Sequence, residues 1–155
     1  KDVNLIKVET ADQMFDQTIR NLPADIAVLS AAVSDFKVNN FSNLKIKKKN
    51  EIKLNLIKNI DILDYISKHN SLRPKLVIGF SAETDNLEEN SKIKLNQKNC
   101  DWIIANDVSN KEIGFNSDFN QVSIYYKNKD KEVMPKLRKS LLAEEIVKRI
   151  SKEIQ

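Results

Sequence analysis

Ile26-Ala-Val-Leu-Ser-Ala-Ala-Val-Ser-Asp35 is the stretch whose reading decides the fold: an apolar run that passes into small residues and ends in a carboxylate. A run of this length without polar alternation suits a strand buried on both faces, because helices cover both sides of a parallel sheet. Ligands of open parallel sheets sit beyond the carboxyl ends of the strands, where small residues let the backbone approach and a polar side chain can reach out. Ser34 and Asp35 stand at that point.

Outward from this stretch the chain alternates strands and helices. Before it, Asn4–Val8 reads as a short strand and Thr10 as the N-cap of a helix from Ala11 to Leu22, which Pro23 stops. After it come a polar segment and the basic run Lys45-Ile46-Lys47-Lys48-Lys49, which no core can bury and which reads as a loop. Alternation predicts a half-exposed strand over Ile52–Leu56, and Asp61 opens a helix to about His69 with Ile62, Leu63 and Ile66 inward. Leu76–Phe80 is a second buried strand, running into Ser81-Ala82-Glu83-Thr84-Asp85; a helix over Leu87–Lys98 follows. Trp102–Ala105 is a third, running into Asn106-Asp107-Val108-Ser109. Gly114–Asn120 reads as a loop, Gln121–Tyr126 and Glu132–Met134 as an antiparallel hairpin, and Lys139–Lys152 as an amphipathic helix. The pattern is α/β: a mostly parallel sheet with helices on both faces plus a small antiparallel hairpin, in one domain over residues 1–155. Three buried strands ending in three polar clusters predict one composite site along a single sheet edge.

Composition narrows the class. A chain of 155 residues, 41% hydrophobic and 31% charged, matches an ordinary folded domain rather than a disordered one. The apolar runs fall far short of a membrane span and the N-terminus lacks signal-peptide architecture, which predicts a cytoplasmic protein with no membrane partner. A single cysteine, Cys100, excludes an internal disulfide and agrees with a reducing compartment. The net charge of +4 is too modest to imply nucleic acid.

Several residues invite chemistry. Lysine carries a compact positive charge on a long stem to a phosphoryl oxygen; Lys94 and Lys98 lie four apart on one helix face, and Lys45 opens the loop launched at Asp35. For any single lysine in a chain so rich in them, solvated surface is the ordinary place. With Gly79 and Gly114 as its only glycines, the chain contains neither a dinucleotide-binding glycine turn nor a Walker loop. His69 reads as a surface or capping residue, while Cys100 and Trp102 read as packing. Glu83 and Asp85 could share a metal or cap the next helix, Asp61 could likewise be a helix cap, and no metal-ligand set is identified. Asp35 belongs to no helix start. On the residues alone, this is a nucleotide or phosphoester site on an α/β sheet.

Five ordered stretches go further. Ala31-Ala32-Val33-Ser34-Asp35, Lys45-Ile46-Lys47-Lys48, Gly79-Phe80-Ser81-Ala82-Glu83-Thr84, Ala105-Asn106-Asp107-Val108-Ser109 and Gly114-Phe115-Asn116-Ser117-Asp118 resemble, in order and spacing, the phosphopantothenoylcysteine synthetase (phosphopantothenate-cysteine ligase) family. The likeness runs from about Val8 to the terminal helix. In bacteria this family is usually the C-terminal half of a bifunctional coenzyme A biosynthesis protein. The resemblance implies a Rossmann-like homodimer that joins 4'-phosphopantothenate to cysteine at the expense of CTP, with Mg²⁺. FMN is implied only if a fused decarboxylase domain accompanies it in the parent chain. Carried over by motif, Asp35 and Phe80 are nucleotide contacts, Lys45 the catalytic cation at the α-phosphate, and Lys47–Glu51 part of a flap. Ile60-Asp61-Ile62-Leu63 matches the family's Pro-Asp-Ile segment on the nucleotide, Lys94 and Lys98 match two further CTP-contacting lysines, and Ala31 and Ala32 fall where backbone meets substrate.

The chain departs from the family in two places. Ile60 replaces the usual proline, which loosens a turn but keeps Asp61. The family's glycine-rich first β-α unit, with its Ser-Ser-Gly-Lys-Met-Gly stretch and an asparagine for the acyl-cytidylate, would precede Lys1, so the resemblance implies a domain lacking its N-terminal β-α unit. The alternative reading is therefore a non-catalytic nucleotide-binding fragment. A lysine-rich RNA-binding module ranks third, since 6% aromatics without a stacking motif argue against it. Dimer contacts are expected from the half-exposed strand Ile52–Leu56 and from the hairpin beginning at Gln121.

Overall fold

The computed structural model describes residues 3–40, 42, 44, 45, 47, 51–109 and 117–155. In chain order the elements are α1 (Ala11–Arg20), β1 (Ile26–Leu29), β2 (Phe36–Val38), β3 (Leu56–Lys58), α2 (Ile62–Ser67), β4 (Leu76–Glu83), α3 (Leu87–Lys98), β5 (Trp102–Asp107), β6 (Phe119–Asn120), β7 (Val122–Tyr126), β8 (Glu132–Val133), β9 (Leu137–Arg138) and α4 (Lys139–Glu153). They fall into two compact units, Lys1–Asn21 with Ala32–Ile62, and Leu22–Ala31 with Leu63–Gln155.

The larger unit holds a five-stranded sheet in the order β1-β4-β5-β7-β8. β1, β4 and β5 are parallel, and β7 and β8 extend the sheet antiparallel, so the predicted hairpin is part of the main sheet. Period-two alternation separates its faces. Leu76, Ile78, Trp102, Ile104, Val122 and Ile124 form one core layer with Met134 and with Leu142, Ile146 and Ile150 of α4. On the opposite face Val77, Ile103 and Ala105 are wholly buried, Leu63 of α2 packs over Gly79, and α3 crosses β4, β5 and β7. Helices thus cover both faces, as α/β patterning requires. Burying each such large aliphatic side chain contributes about 1.5–3 kcal/mol, which makes these layers the principal source of stability.

Where the chain leaves α2, Arg73 fixes the geometry. Its guanidinium binds both carboxylate oxygens of Asp101 at 3.0 and 2.9 Å and donates to the carbonyls of Ser67, Pro74 and Asn99. Asp101 in turn accepts from the Val77 N–H. His69 does not cap the free carbonyls of α2 but orders the turn that follows it, its Nδ1 accepting from the N–H groups of Ser71 and Leu72.

In the smaller unit α1 begins at a capping box, in which Thr10 Oγ1 accepts from Gln13 N and Gln13 Oε1 from Thr10 N. β2 and β3 form an antiparallel two-stranded ribbon, and Lys37 on β2 pairs with Asp12 of α1 at 2.7 Å.

Three predicted strands differ from those observed. Ile26–Val33 was expected to be doubly buried, yet β1 stops at Leu29 and Val28 is 47% exposed. The reason is position: β1 is the sheet's edge, and among the described residues only β4 pairs with it. Asn4–Val8 is not a strand; an alternating pattern marks a face, but a strand needs a partner, and Val3 and Leu5 lie exposed. The Ile52–Leu56 strand is displaced to Leu56–Lys58, where the register with Phe36–Val38 places it. The predicted loop Gly114–Asn120 lies partly outside the described residues, and its end, Phe119–Asn120, is β6, paired with β9.

Candidate active site

In the smaller unit, two stretches 25 residues apart in sequence are brought together. The Asn59 N–H donates to the carbonyl of Asp35 at 2.8 Å, and Asn59 Nδ2 donates to the carbonyl of Ser34 at 2.7 Å. Ser34 Oγ donates back to the Phe36 carbonyl at 2.8 Å, fixing the turn into β2. Asp35 is thereby held beside Asn59-Ile60-Asp61, with its side chain exposed. Asn59 itself was not singled out in the sequence; nothing distinguishes it there from any other asparagine. Ile62 is 5% exposed and Leu63 9%, so what this segment can offer a ligand is its backbone, the exposed side chain of Ile60 and Asp61. Lys45 is exposed on the long connection between β2 and β3; Lys48 and Lys49, within the expected flap, lie outside the described residues.

In the larger unit the carboxyl ends of β1, β4 and β5 lie side by side. Leu29 is in register with Gly79, Ala82 with Asn106 and Glu83 with Asp107. Ala31 is exposed two residues beyond the end of β1, and Ala32 is likewise exposed in the other unit. Phe80 is half-buried on β4, its ring against the α4-side core. α3 starts at this edge and runs back along the sheet, so Lys94 sits one turn nearer the edge than Lys98. Lys98 Nζ lies 4.0 Å from Asp64 Oδ1, a carboxylate that Lys68 contacts at 2.6 Å.

The polar groups at the edge differ in how they are used. Asp107 accepts from both the N–H and the Oγ of Ser109, bonds that hold its carboxyl below the usual range. Glu83 accepts from Asn90 Nδ2 at 3.3 Å. Ser81 Oγ and Asn106 Oδ1, by contrast, are buried without a hydrogen-bond partner among the described residues. Among those residues no group of three or more His, Cys, Asp or Glu side chains could hold a metal ion.

A cavity of about 380 Å³ opens at the opposite, amino end of the strands, lined by Lys75, Trp102, Tyr126 and Lys129 among others. Its cations are already engaged, Lys75 with Asp25 and Lys129 with Glu153. Of the hairpin expected at a dimer contact, Val122, Ile124 and Tyr125 are buried within the chain, while its outer strand, β8, is the edge of the sheet and leaves Val133 exposed. The β2–β3 ribbon does expose apolar side chains: Phe36, Val38, Leu56 and Ile57.

The sequence and fold of this chain have known relatives. It is 41% identical over 150 residues to the coenzyme A biosynthesis bifunctional protein CoaBC of Borreliella burgdorferi, covering 94% of this chain and 37% of that protein. Against the CoaBC of Haemophilus influenzae it is 37% identical over 159 residues, 99% of this chain and 39% of the relative. The chain thus spans about two-fifths of these relatives. The crystal structure of the C-terminal domain of a CoaBC protein superposes with a TM-score of 0.74 at 30% identity, covering 96% of this chain and 65% of that one. The model of the DNA/pantothenate metabolism flavoprotein C-terminal domain matches residues 1–154, and the chain belongs to that family.

Proposed function

We propose that this chain carries the ligase chemistry of coenzyme A biosynthesis, joining 4'-phosphopantothenate to L-cysteine through an acyl-cytidylate made from CTP. The observation that carries the reading is the family match over residues 1–154. The Asn59 clasp gives it geometric support, since it holds two of the motif segments, Ser34-Asp35 and Ile60-Asp61, side by side.

In the first step the carboxylate of phosphopantothenate attacks the α-phosphorus of CTP, and pyrophosphate leaves. In the second the cysteine amine attacks the acyl carbon, and CMP leaves as the amide forms. Negative charge accumulates on the α-phosphoryl oxygens in the first step, so a cation aimed there lowers the barrier. We assign that role to Lys45. Its place on a long connection suits a group that closes over the mixed anhydride and keeps water from it. Asp35, Asp61 and Phe80 contact the nucleotide; Lys94 and Lys98 hold its phosphates; the backbone at Ala31 and Ala32 meets the substrate. The described residues include no carboxylate cluster that would cage Mg²⁺, and we propose that the ion arrives on the triphosphate, as Mg²⁺ commonly does. The exposed β2–β3 ribbon is the face we assign to a homodimer, and the cytoplasm is the compartment where these substrates meet.

The test is pyrophosphate release with phosphopantothenate, cysteine and Mg²⁺, comparing CTP with ATP. Lys45→Ala should lower kcat by about 10²–10³ while leaving KM for CTP within a few-fold, because its contact strengthens in the transition state. An effect confined to KM would refute the role. Nucleotide binding without pyrophosphate release would favour the alternative, a nucleotide-binding fragment.

A further inference from the structure

We propose that the cavity at the amino end of the strands is a second ligand site, which takes a small organic anion with a flat, aromatic body. It lies at the sheet edge opposite the catalytic one and is independent of the ligase reading.

At about 380 Å³ the cavity falls within the size range of small-molecule sites. Its apolar wall comes from Leu76 at the start of β4, Trp102 at the start of β5, Tyr126 at the end of β7 and Ile154 just beyond α4. The two aromatic rings meet edge to face, with centroids 5.0 Å apart and planes at 81°. A right-angled pair forms a corner against which a third ring packs well. Lys129, from the turn between β7 and β8, places its ammonium 4.4 Å from the Tyr126 centroid and 5.7 Å from that of Trp102. Contacts of this kind at exposed sites are weak enough for an incoming ring to displace.

The charges around the cavity are unequally matched. Asp101 is taken up by the Arg73 guanidinium and the Val77 N–H, and Glu153 by Lys129, so neither carboxylate opposes an anion with its full charge. Lys75 pairs with Asp25, but the two side chains are 82% and 77% exposed, and so wet an ion pair holds its lysine loosely. Lys127 donates to a neutral acceptor, Asn99 Oδ1, at 2.7 Å, and no carboxylate pairs with it among the described residues. The site is therefore cationic at Lys75 and Lys127, with an aromatic wall beside them. One molecule that carries an anionic group on a ring, as an aryl phosphate does, satisfies both features. β4 is eight residues long, which sets this edge roughly 20–25 Å from the strand ends that bear the motif segments, so such a ligand does not compete with the nucleotide.

Trp102 is the chain's one tryptophan, and its fluorescence reports on this cavity without a label. The probes are phenyl phosphate, inorganic phosphate and phenol, each titrated into this chain, with Tm as the folding control for every variant. Phenyl phosphate should change the emission saturably, half-maximally at about 0.1–1 mM, the range for so small a ligand. Inorganic phosphate and phenol, each with half of the recognition, should need at least about tenfold more. Lys127→Gln should weaken phenyl phosphate about tenfold and Lys75→Gln by a smaller factor, with Tm unchanged. Lys53→Gln removes the same charge from a side chain outside the cavity and should titrate as the unmutated chain does. CTP with Mg²⁺ should leave the titration unmoved. A change that does not saturate, equal half-saturation for the three probes, a loss in Lys53→Gln as large as in Lys127→Gln, or displacement by CTP would each overturn the proposal. If Lys127→Gln lowers Tm, the decision passes to Lys75→Gln, where an unweakened titration overturns it.

Discussion

Gly79→Ala is a single methyl placed where β4 meets α2. A Cβ at this position would lie 2.5 Å from Leu63 Cδ2, 3.0 Å from Ile103 Cδ1 and 3.3 Å from Leu63 Cδ1. Ordinary carbon contact is about 3.5–4.0 Å, so the Leu63 terminus must retreat by roughly 1 Å. Leu63 has little room to do so, being only 9% exposed. Overpacking of this kind costs about 1–3 kcal/mol, while restricting the unfolded chain by Gly→Ala returns about 0.4–1 kcal/mol. The net is a loss of about 1–2 kcal/mol, or a Tm lowered by about 2–8 °C for a chain of this size. Urea denaturation of Gly79→Ala, Leu63→Ala and the double variant measures it. Leu63→Ala alone should cost about 2–5 kcal/mol through its cavity. In the double variant the new methyl enters that cavity, so the combined cost should fall short of the sum by about 1–2 kcal/mol. A neutral Gly79→Ala, or strict additivity with Leu63→Ala, would refute the claim that Gly79 is there for Leu63.

Two further predictions concern titrating groups. Cys100 is fully buried and burial pushes its thiol up to about 11, so it should resist a thiol-specific reagent at pH 8 and react fully in denaturant; rapid native labelling would contradict the burial. Glu132 is held below the ordinary carboxyl value of 4.5, first by the Arg149 guanidinium at 2.5 Å and also by the phenol of Tyr126. Its folded value is lowered, so its stabilisation is fully present above pH 4.5 and lost as pH falls through the lowered folded value. Its side chain is 39% exposed, which screens the effect and keeps it modest. Between about pH 5 and pH 2, Glu132→Gln should show a shallower fall of Tm than the unmutated chain, and parallel curves would show that the pair contributes nothing to acid sensitivity.

Elements with a strong pattern and a local end signal were legible in the sequence. α3 was predicted over the residues it occupies, and α1 was found from Thr10, whose capping box is a local interaction within four residues. Buried central strands announced themselves through continuous apolar runs, as β4 and β5 do. What failed was pairing. Ile26–Val33 has the composition of a central strand and the position of an edge, and no pattern within a strand states how many neighbours it will have. The β2–β3 ribbon shows the same limit: alternation found the segment near Leu56, and only the partner strand could set its limits.

The site was legible as chemistry and illegible as geometry, because the two depend on different things. Sequence reading favours residues with charge, and it singles out Glu83 and Asp85 along with Asp35, with Asp107 entering only as one member of a polar strand end. At that edge, charge is also what other groups in the chain compete for: Asp107 is taken by Ser109, and Glu83 by Asn90. A neutral amide or hydroxyl attracts fewer intramolecular partners, so it is the quieter residues, Asn106 and Ser81, that keep unpaired polar atoms where β4 and β5 end. Asn59 makes the complementary point. Its acceptors are the Ser34 and Asp35 carbonyls, backbone groups that every residue possesses, and only one of its two donors is the side-chain amide, so the contact that joins two motif segments leaves little trace in composition or spacing. Ligand recognition at the end of a parallel sheet is therefore sought among the polar groups that the fold has failed to satisfy, and motif order tells only which strand ends to inspect.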